Sequence, residues 1–256
     1  MFPYDGELAA ATRPLPKTVG DVIQMMQAID NACADEDGLK WFNWIYLQVT
    51  RAVEEKLAAG GFSDAAWLSD LDVRFAALYF DALHGALTGA SCPGCWRALF
   101  AARKQTSLAR IQFALSGMNA HINHDLPTAI VAAGRACNTA PQHKTSQYND
   151  YTSLNTTLDS LIDMAKHALN VRLPGDPLPA MSQLEDTIAA WNLAAAREKA
   201  WNNAQSLWGQ PAILAAGFMD VIDGLTTVIS RVLLVPVPQI APALQFSSPN
   251  LPAGTA

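Results

Sequence analysis

The stretch Gln112–Cys137, "QFALSGMNAHINHDLPTAIVAAGRAC", decides how this chain is read. Its flanks are apolar and follow helical spacing. Its middle, Gly117–Pro127, holds two histidines, two asparagines and an aspartate. Pro127 has no N–H to give to a helical ladder, so a helix that continues through it is expected to kink near Asn123. Wound as a helix, Gly117, His121, His124, Asp125 and Thr128 share one face, while Asn119 and Asn123 fall on another. Polar side chains are costly to bury without partners. The motif is therefore either a reactive site or a polar clamp between helices. Gly117 is a place where a second helix can come close.

The same helical period runs outward in both directions. "TVGDVIQMMQAIDNACA" sets Val19, Val22, Ile23, Met26 and Ile29 at helical spacing, with Thr18 as N-cap. "DEDGLKWFNWIYLQVTRAVEEKLAAGG" follows and stops at Gly60–Gly61. A short helix capped by Ser63 or Asp64 is expected to reach Trp67. A separate one is expected to begin near Ser69 or Asp70, with Gly85, Gly89 and Pro93 ending or breaking it. "NTAPQHKTSQYND" reads as a polar loop. "DYTSLNTTLDSLIDMAKHALNV" and "MSQLEDTIAAWNLAAAREKAWNNAQSLW" read as amphipathic helices parted by the breaker "RLPGDPLPA". No period-2 alternation of useful length and no fixed repeat occurs. The expectation is an all-α single domain, a bundle of about seven to nine helices over residues 17–235. An N-terminal extension, 1–16, precedes it and a Pro/Ser-rich tail, 236–256, follows.

The 256 residues are half hydrophobic and carry a net charge of −6, which fits a globular chain with a sizeable core. That balance, with no basic block, gives no footprint for nucleic acid. The most apolar run, "AILAAGFMDVIDGLTTVISRVLLVPVP", is interrupted by Asp220, Asp223 and Arg231. It reads as a buried core helix and not as a membrane span. The N-terminus shows no signal pattern, and four cysteines do not make a disulfide framework in a chain of this size. A reduced, cytoplasmic setting is expected.

Three chemistries fit the opening motif. A histidine and a carboxylate one turn apart project side by side and can hold a metal ion. Without metal, the same pair is a base oriented by its carboxylate. Otherwise it is a clamp between helices. Asp72 sits amid apolar neighbours on the helix face that includes Phe75, Ala76 and Tyr79, so it is a candidate third ligand or general base. "WFNWIYLQVT" puts Asn43, Tyr46 and Thr50 on one face, where Asn43 and Tyr46 would orient a substrate or a carboxylate. His124 is a further candidate. Asp81/His84 and Asp163/His167 are also paired at helical spacing, but fit solvent-facing helix ends as well. His143 is expected to be exposed, and Arg197, Glu198 and Trp201 to form an intramolecular brace with Arg197 stacked on Trp201.

Several signatures are missing. No strand precedes "CPGC", Cys92–Cys95, so a thioredoxin-type reading lacks its context, and one C-x-x-C is half a zinc knuckle. No G-x-G-x-x-G, Walker A, H-E-x-x-H or G-x-S-x-G motif occurs, which gives no sign of a nucleotide cofactor. Neither a D-D-x-x-D cluster nor an E-x-x-H pair is present, counting against an ionising terpene cyclase and a ferritin-like di-iron bundle.

The segments "WFNWIYLQVT", "LDVRFAALYFDAL", "CWRALFAAR", "QFALSGMNAHINHDLPTAI" and "AAAREKAWNNAQSLW" together resemble an uncharacterised bacterial family, domain of unknown function 5995, over roughly residues 17–235. His121 and Asp125 match its most specific segment, while Cys92 and Cys95 depart from its usual turn. The resemblance implies a shared site and no particular reaction. A much weaker one, to all-α zinc phospholipase C and P1-type nucleases, rests on the spacing of "HINHDLP". It implies at most a mononuclear or dinuclear metal centre.

These readings converge on an interior site centred on His121 and Asp125. The leading expectation is a small-molecule enzyme holding a divalent metal (Zn, Fe or Mn) through His121, Asp125 and Asp72, with Asn43, Tyr46 and His124 beside it. It would be a hydrolase or lyase acting on a hydrophobic organic or lipid-like substrate. The alternatives are a metal-free cyclase or isomerase that uses the His121–Asp125 pair, and a non-catalytic binding or scaffold protein. The oligomeric state is left open.

Overall fold

The computed structural model describes residues 2–160 and 192–236, and no strand occurs among them. The chain is all-α. Helix α1 spans Asp5–Ala11, α2 Val19–Ala32, α3 Gly38–Ala58, α4 Ala65–Thr88 and α5 Gly94–Ala102. Then α6, Arg110–Ala120, passes through one π-helical turn, His121–Asp125, directly into α7, Leu126–Ala136. Helices α8, Ser146–Ser153, α9, Leu193–Trp208, and α10, Ala212–Leu233, complete the bundle. With 110–136 counted as one rod, these are nine helices, and among the described residues 155–160 are helical as well.

Local chemistry sets these limits. Thr18 and Asp21 form a reciprocal capping box at the start of α2, and Asp37 caps α3 through the Leu39 N–H. Asp64 caps α4 by accepting from the Trp67 N–H. Contrary to the sequence expectation, α4 runs unbroken through Ser69 and Asp70, because Asp70 pairs with Arg74 one turn on at 2.6 Å instead of capping a new helix. Gly85 lies inside α4, where a Cβ would meet the Ser91 carbonyl at 2.0 Å, and the left-handed Gly89 ends the helix. The expected loop 138–150 is cut short by α8, whose Thr145 cap accepts from the Tyr148 N–H.

The α6–α7 rod is the axis of the bundle. Helix α3 packs on α6, while α4 and α9 pack on α7. Gly117 permits the first contact: a Cβ there would lie 2.3 Å from Cγ of Phe42. The N-terminal extension is built into the body. Leu8 of α1 is fully buried, and Arg103 pairs with both Asp37 and Asp5, the latter at 3.0 Å.

Helix α10 differs from its expected role as a core helix. Its buried face carries polar anchors: Asn119 donates to the Thr226 carbonyl and to Ser230 Oγ, and Asp223 accepts from the N–H groups of Gly94 and Cys95 at the start of α5. Ile213, Leu214, Val221, Leu225, Val228 and Val232 face outward, while Ile222 is buried and Ala215, Phe218, Met219 and Leu233 pack against the core. It is also long and apolar enough to cross a membrane by length and composition, the one such helix among the described residues.

Candidate functional site

The π-helical turn is where Pro127 enters the rod. The Leu126 N–H reaches back to the carbonyl of His121, five residues earlier. The widened turn makes room for a proline that cannot donate. It carries the two histidines and the aspartate into the middle of the bundle, where His121 and Asp125 are buried.

Asp125 is the hub. Its Oδ2 accepts from Nδ1 of His121 at 2.9 Å and from the indole N–H of Trp96 at 2.9 Å. Its Oδ1 accepts from Nδ1 of His124 at 2.7 Å. Both oxygens are thus engaged by N–H donors. With Nδ1 of His121 donating, Nε2 of a neutral ring carries the lone pair. That nitrogen is buried without a hydrogen-bond partner among the described residues.

The ring of His121 is held by aromatic contacts. Phe75 stacks on it with centroids 3.5 Å apart, and Tyr46 meets it edge-on at 4.5 Å. Phe42 and Trp96 close the remaining sides.

Burial and neighbours set the charges. Burial lowers the pKa of His121 against the opposing pull of Asp125, which favours the neutral ring. Burial also disfavours charge on His124, but the hydrogen bond and charge of Asp125, with Asp223, win and raise its pKa. Burial resists ionisation of Asp125, yet the two histidines hold its carboxyl below the usual range. Asp72 has no such donors: burial, helped by Glu54, pushes it up to about 7. The Tyr46 hydroxyl is buried without a partner, and burial, then the fields of Asp72 and Asp125, keep it protonated.

Two adjoining pockets meet here. One is lined by His121, Tyr46, Arg197 and apolar side chains, Phe75 among them. The other contains Asp72. Tyr46, Val49, Phe75, Leu158 and Arg197 line both. His121, Tyr46 and Asp72 are thus brought to one neighbourhood, from α3, α4 and the π-helical turn.

The other candidates lie elsewhere. Asn43 donates to the Met26 carbonyl at 2.9 Å and accepts from the Tyr79 hydroxyl at 3.3 Å, tying α3 to α2 and α4. Thr128 reaches Met219 of α10. Asn123 props Asn119, so the asparagine face holds the rod to α10. His84 bonds Thr12, and Asp81 pairs with Arg13, which docks α1 onto α4. Asp163 and His167 lie outside the described residues. His143 is exposed and bonds Glu198 at 2.8 Å. Cys92 and Cys95 open α5 as free, buried thiols; burial pushes Cys92 up to about 11 and Cys95 higher still, the opposite of an activated thiolate.

Three residues at the site escaped sequence reasoning. Trp96 and Phe75 read as ordinary core aromatics. Arg197 stacks over Tyr151, at 4.0 Å from the ring centroid, and not on Trp201. Its burial within an otherwise apolar face was the one signal that could have placed it near a pocket.

Among the described residues no group of three or more His, Cys, Asp or Glu side chains is placed to hold a metal ion.

The sequence profile of a family described as a family of unknown function (DUF5995) matches residues 19–236. No curated protein and no solved structure matches the chain.

Proposed function

The chain belongs to this DUF5995 family of unknown function, and from its interior geometry we propose an enzyme that moves a proton on a small hydrophobic organic molecule, as an isomerase or cyclase does. The observation that carries this is the unpartnered Nε2 of His121 in an apolar pocket, its ring fixed by Asp125 through Nδ1. A neutral imidazole so held is a base ready to act. Asp125 orients it and stabilises the imidazolium formed when Nε2 takes the proton. Asp72, half protonated near pH 7, is suited to return a proton. The Tyr46 hydroxyl is suited to donate to an oxygen on the substrate. The aromatic walls favour an apolar substrate and keep water away from the transfer.

A metal-dependent hydrolase or lyase is the second reading. It rests on the same Nε2, since a histidine bonded to a carboxylate through its other nitrogen is how many metal ligands are oriented. Its weakness is the donor set: Asp125 has both oxygens occupied, so it would orient His121 and not bind the ion itself.

The test is deuterium uptake from D2O into a panel of apolar enolisable ketones and unsaturated ketones, with and without chelator. Exchange that survives chelator and falls by about a hundredfold or more in His121→Ala and Asp125→Asn supports the proposal. Exchange abolished by chelator and restored by a divalent metal moves the assignment to the second reading. Exchange unchanged in both variants leaves the motif a helix clamp.

A further inference from the structure

We propose that α10 is the interface of a homodimer, in which two copies of the helix pack antiparallel around a twofold axis. The helix carries apolar side chains on its outer face as well as its inner one. Its inner face packs Phe218, Met219 and Ile222 on the body and hydrogen-bonds to α5 and α6 through Asp223, Thr226 and Ser230, yet its outer face still exposes Ile213, Leu214, Val221, Leu225, Val228 and Val232, between 58% and 81% of each. A contiguous exposed apolar face of this length marks an interaction surface.

The charges of the face specify the occupant. Asp220 and Arg231 are both exposed. Three helical turns separate them, about 16 Å, so they lie on the same edge of the outer face. A twofold axis perpendicular to α10 beside Leu225 and Thr226 reverses the helix direction and keeps each edge on its own side. It sets Asp220 of one copy against Arg231 of the other, twice, while the apolar stripes meet between them. A parallel pair leaves these charges unmatched. Gly217 and Gly224 lie between the stripe and the Asp220–Arg231 edge, with open space where a Cβ would be, so the two backbones can approach closely there.

A bilayer is a poorer match. The inner face is tied to the protein through Asp223, Thr226 and Ser230, so the helix is not free to span. The outer face carries one cation and one anion, and the chain as a whole is net negative, giving no attraction to an anionic surface.

The experiment is the mass of the full-length chain in solution, by sedimentation and light scattering at micromolar concentration without detergent. A species of twice 27.5 kDa is expected. Leu225→Glu, at an exposed position that folding does not use, is expected to give a monomer with an unchanged helical spectrum. Arg231→Asp alone is expected to weaken association about tenfold, and Asp220→Arg with Arg231→Asp to restore it. A monomeric wild-type chain overturns the proposal. So does a chain that dimerises only after removal of residues 237–256, because the tail then covers the face. Co-sedimentation of a monomer with phosphatidylcholine vesicles, or a dimer indifferent to all three variants, overturns it equally.

Discussion

Asp125 accepts from Trp96, His121 and His124 at once, and this fixes both its own charge and the tautomer of His121. The two histidines then diverge: in an NMR titration His121 is expected to take up its proton below pH 6.5 and His124 above it. Trp96→Phe removes one donor to Asp125 and is expected to destabilise the fold by about 1 kcal/mol, seen as a lower denaturation midpoint. Asp72 gives a separate pH signature. Its pKa is near 7 in the folded chain and in the usual carboxylate range when unfolded, so the folded state binds more protons between those values. Stability is therefore lost as pH rises from about 4 to about 7, then levels off. In Asp72→Asn that part of the pH dependence of the melting temperature is expected to vanish. His121, Asp125, Asp72 and Tyr46 were legible in the sequence because each is a polar group on an apolar helix face. Asn43 passed the same test, yet it serves the bundle: sequence spacing does not say whether a buried polar group meets a neighbouring carbonyl or a pocket. Trp96 was not legible, because its contribution is one N–H on an otherwise ordinary core residue.

At the scale of elements, Pro127 and the five residues before it explain each other. Where a kink near Asn123 was expected, the rod carries a π-helical turn that opens at His121. The close approach at Gly117 was equally legible. Gly117→Ala would drive a Cβ into Phe42, which also contacts His121, and is expected to lower stability by about 1–3 kcal/mol in urea titrations. The unbroken α4 and the outward apolar stripe of α10 were not legible, for one reason. Asp70 and Asp223 are residues that commonly cap helices, and the sequence does not state that Asp70 pairs within its own helix while Asp223 caps a different one, α5. Likewise an apolar stripe predicts burial, and only the polar anchoring of the opposite face shows that the stripe points outward. Asp223→Ala is expected to cost about 1 kcal/mol through the lost cap of α5, read as a lower melting temperature.

For the whole molecule, the all-α single domain followed from the uniform helical period. What no local pattern conveyed was how α1 joins it. The family profile begins at residue 19, yet α1 buries Leu8 and supplies Asp5 to Arg103. Removal of residues 1–16 is therefore expected to lower the melting temperature markedly, because it uncovers apolar core and takes one of two carboxylates from a buried guanidinium. The bundle brings α3, α4 and the π-helical turn together around Tyr46, so that a neutral histidine base lines one of two adjoining pockets and a carboxyl titrating near 7 lines the other. The most direct measurement of that arrangement is the nitrogen NMR spectrum of His121 at pH 7, recorded before and after addition of chelator. The account predicts a neutral ring protonated on Nδ1, a bare Nε2 and no change with chelator. A charged ring, a proton on Nε2, or an Nε2 signal that moves when chelator removes a bound ion would contradict it.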